Sequence, residues 1–184
     1  MLVSILGFEL RHTLRQPVFW MIGAAYFLFG LVYVSYSGVG SALTPGAVNV
    51  NAPWAITRIV VLMSYLGVLG IAAFSGTSII HDFKSGTAST LFCTRLSKTG
   101  YVFGRFLGGY LAATLCFSCV FLGLIAGHLA PWADQRLLGP FPAEGLAAAY
   151  IVFALPNIFI GCCMLFSIAL LTRDTLKTSV GAVA

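Results

Sequence analysis

Long apolar stretches, separated by short polar segments, make up most of this chain of 184 residues. Four stretches are long enough to cross a hydrocarbon core about 30 Å thick, at roughly 20 helical residues per crossing. They cover residues 18–40, 59–80, 106–130 and 146–171. A helix satisfies its own backbone hydrogen bonds in lipid, and the alternation typical of barrel strands is absent from the sequence. The pattern predicts an all-α fold, a polytopic integral membrane helix bundle with four spans in a single transmembrane domain.

The first 16 residues have the pattern of an amphipathic helix. Its apolar stripe recurs every four positions, at Leu2, Leu6, Leu10 and Leu14, and the opposite side carries Ser4, Arg11 and Arg15. We expect residues 1–16 to form an interfacial helix, with Arg11 and Arg15 facing anionic lipid and Pro17 turning the chain into the membrane. A cleaved signal peptide is the alternative, but it would have its basic residues at the very start and a shorter apolar core.

Composition supports a lipid environment. Hydrophobic residues make up 59% of the chain and charged residues only 8%, whereas soluble domains carry roughly a quarter charged residues. No Asp, Glu, Lys or Arg occurs between positions 16 and 57. The formal net charge of +5 is explained by basic segments that flank apolar spans, so we expect the lipid bilayer and no nucleic acid as a partner.

The distribution of basic residues predicts the orientation. Eight of the ten Lys and Arg residues lie in segments 1–16, 81–105 and 172–178. The positive-inside rule then places the N-terminus and the 81–105 loop in the cytoplasm. Trp54 and Trp132 lie beside predicted span ends, as interfacial anchors do. After the last charged residues, 179–184 is apolar again, and we interpret it as the start of a truncated fifth span; a frayed tail is the alternative.

The loop between the second and third predicted spans is the most informative segment. Ser85 or Thr87 is suited to cap a short helix through Leu91 and Phe92, and Ser97 is suited to cap a second helix that continues into the third span. A short helix on the cytoplasmic face would leave Leu91 and Phe92 available to dock into another protein. From composition alone, a plain solvated loop is the alternative.

The sequence pattern of this loop resembles that of the corresponding loop in ABC-2-type transporter permeases. The matching residues are Asp82, Gly86-Thr87, Leu91, Thr94, Ser97-Lys98, Tyr101 and Gly104 to Gly108. The Leu-Phe-x-Thr and Lys-x-x-Tyr-x-x-Gly-Arg-Phe-Leu-Gly patterns are most similar to a subgroup whose permease is fused to an M1-type aminopeptidase domain. Residues 8–11 and 15–20 also resemble how such permeases begin. The likeness covers the N-terminal part of such a permease, up to the third span.

The resemblance implies a mechanism and partners. Permeases of this family have about six spans, pair with a second permease unit and bind a separate cytoplasmic ATP-binding cassette ATPase. Residues 86–96 would form the coupling helix that contacts the ATPase, with contacts implied at Asp82, Gly86, Thr87, Leu91, Phe92 and Thr94. The chain departs from the family at Ala88 and Ser89, where an acidic residue is usual, and at Arg95, where Pro is common. The resemblance also implies an inner, cytoplasmic membrane of a bacterium.

Motifs for chemistry within the chain are absent from the sequence. It has no Gly-x-x-x-x-Gly-Lys-Ser/Thr loop for ATP and no His-Glu-x-x-His pair for zinc. His12, His81 and His128 lie in separate segments, and Cys116 and Cys119 fall in the middle of a span, where packing is the better interpretation. The spacings Gly104-x-x-x-Gly108 and Gly123-x-x-x-Gly127 indicate close helix packing. We therefore expect no enzyme activity, no cofactor and no metal site.

The residues and this resemblance together predict a permease component, and a partial one, that couples ATP hydrolysis in a separate subunit to substrate translocation. A small accessory membrane protein without transport activity is the alternative. The spans carry almost no ionisable residue at depth, which disfavours an ion-coupled carrier. Candidate path-lining residues are aromatic or small and polar: Tyr26, Tyr33, Tyr36, Ser64, Tyr65 and Ser75.

Overall fold

The computed structural model describes residues 2–36, 49–65, 98–133 and 136–172, and also the single positions 39, 43 and 67. All regular structure in these residues is helical. Helix α1 is Leu2–Leu14, α2 is Pro17–Ser35, and α3 covers the described residues 53–65. Helix α4 is Lys98–Leu129, α5 is Ala143–Ala148, and α6 is Leu155–Thr172. A π-helix, Ala149–Ala154, joins α5 to α6. The all-α prediction is confirmed for this part of the chain.

Three helical segments are long and apolar enough to cross a membrane: Pro17–Ser35, Thr99–Leu129 and Ala143–Leu171. They contain or overlap the predicted spans 18–40, 106–130 and 146–171. The predicted span 59–80 is helical as far as residue 65, and most of it lies outside the described residues, as do the short C-terminal run 179–184 and the loop positions 81–97. The described part of the chain is therefore that of a helical membrane protein with at least three candidate spans.

Helix ends follow from local sequence rather than from the edge of the apolar run. Helix α1 ends in a tight turn, where the N–H groups of Arg15 and Gln16 donate to the carbonyls of His12 and Thr13. Pro17 then begins α2, a position where its missing N–H costs nothing because the first N–H groups of a helix have no internal acceptor. Helix α4 begins eight residues before the predicted span, at Lys98, because a helix need not end where the lipid does.

The chain divides into two compact units. The first contains Met1–Pro17, Leu66–Thr114 and Ile158–Ala184, and the second contains Val18–Tyr65 and Leu115–Asn157. In the first unit, the aromatic ring of Phe106 meets those of Phe159 and Phe166 edge-on, with centroids 5.7 and 5.3 Å apart. Such edge-to-face pairs fix α4 against α6 more specifically than aliphatic contacts do.

In the second unit, α2 and α4 cross at glycines. A Cβ atom added at Gly123 would lie 2.1 Å from the carbonyl oxygen of Phe27, and one at Gly30 would lie 2.4 Å from that of Val120. Gly127 fits equally closely, since its Cβ would lie 2.8 Å from the carbonyl oxygen of Leu31. The two backbones can approach this closely only because these positions have no side chain. The packing role predicted for Gly123 and Gly127 is confirmed.

We expect Gly123→Ala to lower the free energy of unfolding by about 1–3 kcal/mol, because the added methyl group forces the α2 and α4 backbones apart. Gly7→Ala is the matched control, since nothing lies within 4 Å of a Cβ atom at Gly7. Thermal unfolding of both purified variants in the same detergent measures the difference. Equal unfolding midpoints would show that the glycine crossing does not limit stability.

Candidate functional site

A buried ion pair in the first unit joins α1 to the start of α4. The Arg105 guanidinium donates a hydrogen bond from Nη1 to Glu9 Oε2. The side chains are only 2% exposed for Glu9 and 10% exposed for Arg105. These residues are 96 positions apart in sequence, so the pair connects two helices, α1 and α4, that are distant in the chain.

The surroundings of this pair are shaped for it. A Cβ atom at Gly108 would lie 2.6 Å from Glu9 Cγ, so the glycine leaves the space that the Glu9 side chain fills. The Thr13 hydroxyl donates to the Glu9 carbonyl at 3.0 Å, and the Arg105 guanidinium lies 5.6 Å from the centre of the Tyr101 ring. This cation–π contact adds a further attraction on the arginine. The packing around the pair is therefore specific, because it leaves room for the Glu9 carboxylate and places an aromatic ring beside the Arg105 cation.

The leucine stripe did not indicate this ion pair. Leu6, Leu10 and Leu14 of the predicted apolar stripe are each half-buried. Among residues 6–14, the side chains that α1 buries fully are Glu9 and Thr13. The reason is that Glu9 gains a specific charged partner from α4, and charge pairing offsets the cost of desolvation. The available signal was the presence of one acidic residue in a basic segment.

The opposite face of α1 is exposed and basic. Arg11 and Arg15 are both exposed, as their predicted role at the membrane interface requires. Phe8 is exposed as well, and its ring stacks on that of His12 with centroids 6.2 Å apart. Because Glu9, the acidic residue of α1, is buried with Arg105, the exposed face of α1 presents the positive charges of Arg11 and Arg15 near the Phe8 ring.

The two tryptophans predicted as interfacial anchors are exposed in the second unit. Trp54 is 56% exposed and Trp132 is 67% exposed. The Arg58 guanidinium lies 5.6 Å from the centre of the Trp54 ring, one helical turn further along α3. Exposure beside a helix end and pairing with an arginine both agree with a position at a headgroup layer.

Asn51 organises the polar end of the second unit. Its side-chain amide donates to the carbonyls of Gly139 and Pro140, at 2.8 and 3.2 Å, and lies 3.4 Å from His128 Nδ1. Its amide oxygen accepts from the Gly139 N–H at 2.7 Å. His128 also packs against the Phe141 ring. A buried Asn with four polar contacts thus fixes the connecting segment that leads into α5.

A cavity of about 500 Å³ lies beside this cluster in the second unit. Its walls come from Asn49, Asn51, Ala52, Pro53 and residues 139–145. The size is within the range of small-molecule pockets, and proline rings and Phe141 make most of the wall apolar. The lining brings together residues 49–53 and 139–145, two segments that are far apart in the chain.

The structure tests only some of the predicted site residues. All six coupling-helix residues, Asp82, Gly86, Thr87, Leu91, Phe92 and Thr94, lie outside the described residues. Of the suggested path-lining residues, Tyr33 and Ser64 are buried, and the Tyr33 hydroxyl contacts the Val50 carbonyl at 3.5 Å. Within the part of the chain that the structure describes, no three His, Cys, Asp or Glu side chains are grouped to hold a metal ion.

We expect Arg105→Ala or Glu9→Ala to destabilise the protein by about 3–5 kcal/mol, because each change leaves its partner buried without a counter-charge. The double variant Glu9→Met with Arg105→Met should be less destabilised than either single change, since two apolar side chains need no pairing. Thermal unfolding in detergent measures all three. A double variant at least as unstable as the sum of the singles would contradict a coupled pair.

We expect Asn51→Asp to loosen the segment that Asn51 binds, because a carboxylate oxygen would then face the carbonyls of Gly139 and Pro140. The Gly139 amide should exchange with deuterium about tenfold faster, which corresponds to roughly 1.4 kcal/mol of lost protection. Gln16→Glu is the control, since it makes the same amide-to-carboxylate change at a side chain that contacts His12 and not this segment. Unchanged exchange at Gly139 in the Asn51 variant would exclude this role.

Comparison of the chain with protein-family models, curated proteins and solved structures finds no match in any of the three. Functional conclusions therefore depend on the residues and their geometry.

Proposed function

We propose that this chain is a membrane-spanning permease component of an ABC-2-type ATP-driven transporter. In this proposal ATP is hydrolysed by a separate ATP-binding cassette subunit, and the chain converts that event into substrate translocation. The proposal rests first on the sequence of the 81–105 loop, in which Gly86-Thr87, Leu91 and Thr94 belong to the pattern that resembles these permeases. A second permease unit completes the transporter.

The buried Glu9–Arg105 pair is the structural observation that carries the proposal. Helix α4 begins at Lys98, directly after the loop to which the coupling role is assigned. Arg105 lies two turns into that helix, and it is bound to Glu9 of the interfacial helix. A force applied to the loop would thus act on α4 and α1 together, because separating a buried ion pair is costly. A loop that merely joins two spans has no need of this connection.

The same pair supports the proposed orientation. Glu9 and Arg105 belong to segments 1–16 and 81–105, which the positive-inside rule assigns to the cytoplasm. Two residues in contact must lie on the same side of a membrane, and this pair meets that condition. We propose a cytoplasmic N-terminus in a bacterial inner membrane, with Arg11 and Arg15 of α1 at its anionic headgroups.

The coupling assignment is tested by co-purification with an ATPase whose gene lies beside that of this chain. We expect the double change Leu91→Asp and Phe92→Asp to reduce recovery of the ATPase at least about tenfold, since a charge in a desolvated docking contact costs more than 1.4 kcal/mol. Phe141→Asp is the matched control, because Phe141 is an exposed aromatic residue outside the coupling loop.

The three possible results have distinct meanings. Loss of the ATPase from the loop variant alone supports the permease proposal. Undiminished recovery with the loop variant excludes the coupling role of Leu91 and Phe92. An unsubstituted chain that recovers no ATPase favours the alternative, an accessory membrane protein without transport activity of its own.

A further inference from the structure

Asn157 is a polar residue in the middle of an apolar span. It is the fifteenth of the 29 residues of the candidate span Ala143–Leu171, and no charged residue lies between Glu144 and Arg173. Its side-chain amide donates to Ser64 Oγ at 2.8 Å, and the Ser64 hydroxyl itself donates to the Val61 carbonyl at 2.7 Å. Both contacts lie within the second unit.

The Asn157 amide oxygen receives no hydrogen bond from the residues that the structure describes. The residue is half-buried, so this oxygen is not sealed inside the packing of the unit. An amide oxygen without a donor in hydrocarbon costs several kcal/mol, a cost of about the size of a protein's spare stability. A half-buried acceptor at this depth therefore calls for a donor from water or from a ligand.

Pro156 removes a main-chain donor beside Asn157. Proline has no N–H, so one main-chain carbonyl of the preceding turn loses the helical hydrogen bond that another residue would donate. The chain accommodates Pro156 with the wider π-helix Ala149–Ala154, at the end of which the Leu155 N–H donates to the Tyr150 carbonyl. Single π-helical turns are found frequently at functional sites, because they leave backbone groups open and change the direction of side chains.

A residue of the π-helix also belongs to a second pair of polar side chains in the same unit. The Tyr150 hydroxyl and the Ser118 hydroxyl are 2.9 Å apart. Tyr150 and Asn157 are seven residues apart, and they bind side chains of two different helices, α4 and α3. Polar groups thus continue along the last described span over about two helical turns, a length of roughly 10 Å.

We infer that Asn157 lines a hydrated route through the middle of the membrane and accepts hydrogen bonds from a substrate. The substrate class is an uncharged amphipathic molecule with O–H or N–H donors. The Asn157 amide oxygen is the acceptor that lacks a donor among the described residues, which favours a substrate with donors, and the absence of charged residues from 145–172 disfavours an ionic substrate. The role as a substrate contact rests on the proposed permease function, whereas hydration of the route does not.

Thiol labelling in isolated membranes tests the hydrated route. The reagent is a trimethylammonium-ethyl methanethiosulfonate, which is charged and reacts with thiolates, a form that requires water. We expect Asn157→Cys to be labelled at least about tenfold faster than Ile151→Cys, since Ile151 is 61% exposed on the apolar surface of the π-helix. Asn49→Cys, at an exposed polar position, confirms that the reagent is active. The native cysteines remain, because labelling is read by mass spectrometry at each residue.

Labelling of Asn157→Cys no faster than that of Ile151→Cys would overturn the route and leave Asn157 as a dry contact between α3 and α6. The unsubstituted chain provides a second measurement that needs no folded variant. In lipid nanodiscs, the main-chain amides of 154–160 should exchange with deuterium faster than those of 116–122 in α4. Equal protection of the two segments would likewise exclude a hydrated route.

The substrate class is tested by protection from deuterium exchange in the unsubstituted chain, which keeps the Asn157 amide. Dodecyl maltoside and a dodecyl polyoxyethylene ether are both uncharged and share a chain length, but the maltoside is much richer in O–H donors. Below solubilising concentrations, we expect the maltoside to slow exchange of the main-chain amides of 154–160 at least about threefold more than the ether, a difference of about 0.65 kcal/mol in binding. Equal effects would exclude donor recognition.

These assays use the chain without an ATPase, so they separate this inference from the proposed function. A labelled Asn157→Cys in a chain that recovers no ATPase would establish the route and reject coupling to ATP. Recovery of the ATPase by a chain in which residue 157 stays unlabelled would support coupling to ATP and reject the hydrated route.

Discussion

Hydrocarbon supplies no hydrogen-bond partners, and this constraint governs how the few polar side chains of the chain are placed. A protein with 8% charged residues has little polar surface to arrange, so each buried polar group needs a defined partner. Glu9 forms an ion pair with Arg105. Asn51 donates hydrogen bonds to the carbonyls that precede α5, and Asn157 donates one to Ser64. The glycine crossing of α2 and α4 depends on the same solvent, because helices in lipid associate through close packing rather than through hydrophobic exclusion.

The Glu9–Arg105 pair has a different meaning from an ordinary surface ion pair. Exposed pairs contribute about 0–1 kcal/mol and tolerate loss of a partner. A pair that is as buried as this one adds little net stability, yet breaking it is costly, so it specifies which surfaces meet. Gly108 supports that interpretation, since the absence of its side chain provides the space that Glu9 occupies. Within the first unit, the pair therefore defines the register of α1 against α4.

Sequence patterns predicted the elements much better than the contacts. Apolar length alone located the helices that overlap 18–40 and 106–130 and the helical segment that contains 146–171, because a span is a local property of composition. The glycine spacing predicted close packing correctly at Gly123 and Gly127. Contacts such as that of Glu9 with Arg105 join residues about a hundred positions apart. The local sequence around either residue does not predict which residue it contacts. The π-helix had a local signal in Pro156, since a proline within a helix must change the hydrogen-bond pattern of the preceding turn.

The polar contacts also differ in how strongly they restrict movement of the segments that they bind. Asn51 has both ends of its amide engaged by the backbone of one loop, which favours a single rigid arrangement. Asn157 has only its donor engaged among the described residues, and it follows a π-helix and a proline. Apolar contacts between helices permit small sliding movements, whereas a fully satisfied amide resists them because its hydrogen bonds must break first. The Asn51 cluster therefore holds the loop end of the candidate span Ala143–Leu171, whereas Asn157 at its centre keeps an acceptor without a donor among the described residues.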